Sequence, residues 1–217
     1  MSDLFTRRRM LQLGLAVPAA LLVACSSDGE PVAQTTPTAT DPNSTPATTA
    51  PTTLTPTPSC DDGDDATPAQ TEGPYFTPNS PERSSLLGSG VSGTHLLLTG
   101  AVVATDCRPV AQALVDFWQA DDSGAYDNSG YKLRGHQFTD AQGRYSLTTI
   151  MPGIYPGRTR HIHVKVQAPG ESILTTQLYF PGQAGNASDG IYRKECEMDI
   201  ADAANGKAGT FTFVLDV

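Results

Sequence analysis

A chain of 217 residues, 38% hydrophobic and 17% charged, has room for one ordinary domain and a good deal that is not packed core. The formal net charge is −9, with 14 Lys and Arg against 23 Asp and Glu, which excludes a broad basic footprint for nucleic acid. The one apolar run near the start, 11–23, falls short of the ~20 residues a spanning helix needs, which excludes a polytopic membrane protein.

Residues 1–24 read as an export address. Arg7, Arg8 and Arg9 precede an Ala- and Leu-rich run that ends on small residues, as in a secretory signal. Thr6-Arg7-Arg8-Arg9-Met10-Leu11-Gln12 resembles a twin-arginine signal, the route taken by proteins already folded. Leu22-Val23-Ala24-Cys25 resembles the lipobox of bacterial lipoproteins, which makes Cys25 the candidate lipidation site. Residues 25–59 follow as a tether. Between 31 and 59 stand 11 Thr and 7 Pro, a composition that cannot bury enough apolar surface to offset its ordering entropy. The expectation is an exported domain on a semi-stiff stalk, touching the membrane only through its lipid.

Residues 60–217 carry the folded part, and their pattern is β. His95 to Val103 is rich in Leu and Val; Ala113, Val115 and Phe117 alternate with Leu114, Asp116 and Trp118. Tyr145 to Ile150, Ile162 to Val166, Ile173 to Phe180 and Thr210 to Val217 read as further strands, the last with Phe211, Phe213, Leu215 and Val217 on one face. Asp140-Ala141-Gln142-Gly143, Pro152-Gly153, Pro156-Gly157, Pro169-Gly170 and Pro181-Gly182 supply the turns. Many short strands at regular spacing, with no convincing helical period, predict an all-β fold, a sandwich or barrel. Of Cys60, Cys107 and Cys196, two are expected to form a disulfide outside the cytoplasm, and spacing does not choose the pair.

The chemistry is concentrated at Arg158-Thr159-Arg160-His161-Ile162-His163-Val164-Lys165-Val166. Residues i and i+2 of a strand share a face, so His161 and His163 point together, about 7 Å apart along the strand, while Ile162, Val164 and Val166 face the core. Two imidazoles so placed can converge on one metal. No carboxylate stands beside the pair in sequence, but tyrosines do. A phenol of pKa ~10 binds as an anion only to a strongly acidic cation that takes its proton. Ferric iron is such a cation.

Six motifs in order then resemble the intradiol ring-cleavage dioxygenases: Thr71-Glu72-Gly73-Pro74-Tyr75-Phe76; Val115 to Asp121 with Gly124-Ala125-Tyr126; Thr139 to Tyr145; Pro152-Gly153-Ile154-Tyr155-Pro156; His161-Ile162-His163; and Thr176-Gln177-Leu178-Tyr179-Phe180. The resemblance implies a two-sheet β-sandwich and a non-haem Fe(III) held by Tyr126, Tyr155, His161 and His163. It implies that Arg158 is the active-site arginine and Gln177 the glutamine behind it, with Tyr75 and Arg134 lining the pocket. Tyr131 competes with Tyr126 for the first ligand position. Substrates would be an ortho-diphenol and O2, cleaved between the two hydroxylated carbons to a cis,cis-muconate-type product, with Tyr155 acting as base. Arg160 departs from the family pattern, which has a small residue there in many members, and no room remains between Cys60 and Thr71 for a helical dimerisation region. The competing reading is a cell-surface β-sandwich binding module with an incidental His pair.

Overall fold

The computed structural model describes residues 65–217; the export address, the tether, Cys25 and Cys60 lie outside the described residues. The strands are β1 His95–Ala104, β2 Leu114–Trp118, β3 Arg134–Phe138, β4 Arg144–Ile150, β5 His161–Gln167, β6 Leu174–Tyr179, β7 Asp199–Ala203 and β8 Gly206–Leu215. They form two sheets, ordered β4-β1-β8-β7 and β3-β2-β5-β6. All neighbours are antiparallel except β1 and β8. The all-β, two-sheet sandwich expected from the sequence is the fold observed.

Alternation explains why the sheets meet. Val115 and Phe117 of β2, Ile162, Val164 and Val166 of β5 and Leu178 of β6 present one buried apolar face. Leu96, Leu98, Leu147, Phe213 and Leu215 belong to the same cluster from the other sheet. Each such side chain contributes about 1.5–3 kcal/mol by leaving water.

Two strands have no signal in the hydrophobic pattern. Strand β3 reads Arg-Gly-His-Gln-Phe and β7 reads Asp-Ile-Ala-Asp-Ala, and each is one of the two edge strands of its sheet. An edge strand can take its hydrogen bonds from one neighbour without burying an apolar stripe. The last strand ends at Leu215, so Val217 is exposed and does not continue the face of Phe213 and Leu215. Cys107 is disulfide-bonded and Cys196 is a buried free thiol, so Cys196 is not a member of the bridge.

Register then lays out the outer face of the second sheet. Trp118 stands opposite Arg134 on one side and His163 on the other, and His163 stands opposite Gln177. Directly opposed residues share a face, so one row runs Arg134, Trp118, His163, Gln177. The next position on β5 pairs His161 with Tyr179. All six side chains are buried although they face away from the core; loops cover them.

Phe117 is fully buried and its ring lies 5.8 Å from that of Tyr145 across the sandwich. Truncating Phe117 to Ala should cost about 3–5 kcal/mol, read as a lowered urea midpoint at unchanged m-value.

Candidate metal centre

The imidazoles converge. His161 Nε2 and His163 Nε2 are 3.2 Å apart, and Tyr126 Oη lies 3.2 Å from His161 Nε2. His161 Nδ1 is 2.7 Å from the Thr159 carbonyl. A carbonyl only accepts, so Nδ1 carries the proton and Nε2 offers its lone pair. The Tyr126 hydroxyl and His163 Nε2 both face that single lone pair. Burial favours neutral imidazoles: it depresses His161 to about 4, against the bond to Thr159, and pushes His163 well below its usual value. Burial also raises Tyr126, while the charges of Arg158 and Arg134 pull it back.

Tyrosines complete the cluster. Tyr75 stacks on Tyr126 with centroids 4.6 Å apart, and its hydroxyl is 2.9 Å from that of Tyr155. Tyr155 meets Tyr126 edge-on at 6.0 Å. The stack beneath is Trp118, parallel to His163 at 4.8 Å. Tyr131 is elsewhere: it is exposed and donates to the Pro78 carbonyl at 3.0 Å. Of the two competing tyrosines, only Tyr126 is brought to the histidines.

Two aspartates build the loop that carries Tyr126. Asp121 Oδ1 accepts from the N–H groups of Ser123 and Ala125 and from the Ser123 hydroxyl, and Oδ2 pairs with Lys132 at 3.0 Å. The Asp121 carbonyl also accepts from Gly153, which fastens this loop to the one bearing Tyr155. A Cβ on Gly124 would come within 2.3 Å of the Ile154 carbonyl, so only glycine permits this approach. Asp127 accepts from the N–H groups of Ser129, Gly130 and Lys132. Its own carbonyl takes Nε and Nη2 of Arg134, at 3.1 and 2.7 Å. Arg134 is therefore almost wholly buried, propping the Tyr126 loop from beneath.

Arg158 is clamped. Its Nε donates to Asp189 at 2.8 Å and its Nη2 to Gln177 Oε1 at 2.7 Å. Gln177 in turn donates to the Thr71 carbonyl at 3.0 Å. Arg160, the departure from the expected pattern, donates to the Pro152 carbonyl and to Gln183, tying the Tyr155 loop to the segment after β6. The entry segment passes over the site: Gly73 has φ +72°, and a Cβ there would sit 3.3 Å from His163 Cε1.

Sequence reasoning gave no role to Asp121, Asp127, Gly73 or Asp189, although Gly73 and Asp121 stand within its motifs. Asp121 and Asp127 carry a local signal, Asp-x-Ser at 121–123 and 127–129, typical of side chains that cap their own turn. Asp189 has no comparable signal. Among the described residues no group of three His, Cys, Asp or Glu side chains gathers as a metal site; the side-chain oxygen that meets the paired Nε2 atoms is the Tyr126 phenol. The donor set, two buried imidazole nitrogens with the Tyr126 oxygen against them and the half-buried Tyr155 phenol beside it, fits a hard, highly charged cation.

A family model described as Dioxygenase matches residues 71–216. Hydroxyquinol 1,2-dioxygenase of Nocardioides simplex is 30% identical over 152 residues, covering 59% of this chain and 52% of that protein. The chain spans about half the length of the curated relatives it matches. The dioxygenase domain of a dioxygenase–carbohydrate-binding protein fusion from Streptomyces sp. SirexAA-E is 55% identical, with TM-score 0.69 over 70% of this chain and 99% of that one. The 3-chlorocatechol 1,2-dioxygenase of Rhodococcus opacus has TM-score 0.63 at 30% identity, over 70% and 73% of the two chains.

Asp121 is held at about 2, below its free value of 3.8, because bonds from Ser123, Ala125 and Lys132 outweigh its burial. A carboxyl depressed in the fold contributes its stability in full above about pH 4 and loses it as pH falls toward about 2. Asp121→Asn should flatten that part of the stability curve, measured by urea unfolding across the same range.

Proposed function

Because this chain belongs to the intradiol ring-cleavage dioxygenase family, we propose that it cleaves catechol-type ortho-diphenols between their two hydroxylated carbons, inserting both atoms of O2. The observation that carries this reading is the convergence of His161 Nε2, His163 Nε2 and Tyr126 Oη, 3.2 Å from one to the next, beside Tyr155. Tyr126, Tyr155, His161 and His163 are the residues that would hold the metal, a non-haem Fe(III). When bound, the ferric ion supplies the Lewis acidity that favours the diphenol as its dianion.

The protein's own groups do the rest. Tyr155 Oη, as the phenolate that a bound cation would make of it, would take the proton of a substrate hydroxyl, and the Tyr75 hydroxyl lies 2.9 Å from it as a hydrogen-bond partner. The planar, positively charged Arg158 guanidinium stabilises negative charge that builds on the ring. Gln177 orients it. The buried Trp118–His163 stack and the covering segment 71–76 exclude water from the inner side of the site.

Tyrosinate bound to Fe(III) absorbs visible light, so the purified protein should be red to burgundy and consume catechol and O2 together. Tyr155→Phe should shift or bleach the colour and cut turnover by roughly 100-fold or more, and His161→Ala should lose iron. Tyr131→Phe should leave the spectrum unchanged. A colourless protein without turnover would favour the binding-module reading.

The proposed setting is outside the cytoplasm, with the domain anchored through Cys25. Lys in place of both Arg7 and Arg8 should trap precursor inside the cell, and Cys25→Ala should release the protein from membranes, both followed by fractionation and immunoblot. Unchanged secretion and membrane partition in these variants would overturn the address.

A further inference from the structure

The segment after β6 reaches back to the catalytic arginine. The short 3-10 turn Ala184–Ala187 is followed by Asp189, whose N–H donates to the Gly185 carbonyl. Asn186 accepts from the Thr159 hydroxyl at 2.6 Å, and a Cβ on Gly185 would touch that same hydroxyl at 3.1 Å. This turn is packed directly against the start of β5.

The Asp189 carboxylate is fully used. Oδ2 accepts from Arg158 Nε and from the Thr159 N–H, each at 2.8 Å, and Oδ1 accepts from the Ile191 N–H at 3.1 Å. Its side chain is 2% exposed and that of Arg158 is 18% exposed. Arg158 Nη2 is taken by Gln177 at 2.7 Å, with Tyr179 Oη at 3.5 Å. Nε and Nη2 form one edge of the guanidinium plane, and both are committed. No described residue takes a hydrogen bond from Nη1, so the opposite edge is the one left to a ligand.

We propose that Asp189 is a positioning residue for Arg158, fixing the plane of the guanidinium so that its Nη1 edge faces the substrate. This rests on the dioxygenase reading above and deepens it. An arginine held only through Nη2, by Gln177 and Tyr179, would pivot about that one atom. A second bond through Nε, from a desolvated carboxylate that is itself held by two backbone N–H groups, removes that freedom. The carboxylate, itself 2% exposed, also offsets part of the guanidinium's charge beside the histidines.

The test is Asp189→Asn, made in the wild-type and in the Arg158→Ala backgrounds. Each protein is purified with iron, and four quantities are measured: iron content, the tyrosinate band, kcat for catechol, and anaerobic catechol affinity from the shift of that band. Asp189→Asn alone should keep its iron and band while kcat falls roughly 10- to 100-fold and catechol binds more weakly. In the Arg158→Ala background the same change should have no further effect on affinity or on residual turnover. Wild-type turnover and affinity in Asp189→Asn would overturn the proposal. So would an equal loss in both backgrounds, because Asp189 would then act through the Thr159 backbone and not through the guanidinium. A wild-type protein with no catechol turnover would instead remove the functional reading, and this inference with it.

Discussion

Both faces of strand β5 are buried, but by different surroundings, and the site depends on that difference. One face, Ile162, Val164 and Val166, is covered by the opposite sheet and is apolar. The other, His161 and His163, is covered by loops that bring phenols, a guanidinium and backbone carbonyls. The strict period of two in a strand keeps these environments apart. A slip of one residue in register would put imidazoles into the apolar core and isoleucine and valine against the tyrosines.

Desolvation gives the site its chemical bias. Burial favours the neutral form of both imidazoles and raises the Tyr126 phenol. Neutral groups are cheap to bury, whereas an isolated anion there would not be. The Tyr126 hydroxyl and His163 Nε2 both crowd the one lone pair of His161 Nε2, an arrangement suited to a hard cation that displaces phenolic protons. Metal binding and proton release are coupled in such a pocket. The surrounding aspartates work by the opposite logic: Asp127 is surrounded by N–H donors and held at about 2, so it stays ionised and its loop stays closed.

The loops owe their rigidity to short-range bonds more than to apolar packing. Asp121 and Asp127 close turns on either side of Tyr126, Gly153 donates across to the Asp121 carbonyl, and Arg160 ties the Tyr155 loop to the segment after β6. The positions that carry chemistry are thus set by a frame of hydrogen bonds resting on the sheet. A hydrophobic-pattern reading sees the sheet and is blind to this frame, which is why β3 and β7, polar and at the edges, escape it too.

By itself the sequence determined the fold class, most strands, the pairing of His161 with His163 on one face, the membership of Tyr75, Tyr126, Tyr155 and Gln177 in one set of motifs and the place of Arg158 three residues before the His pair. Those follow from alternation and from short ordered motifs, both of which are local. Only the tertiary structure decided that Tyr126 and not Tyr131 meets the histidines, that Arg134 supports a loop from beneath, that Cys196 stays a free thiol, and that Asp189 grips Arg158. Each of these depends on which loop folds over which strand. Asp189 lies 31 positions from Arg158, and nothing in the composition of either segment records that they meet.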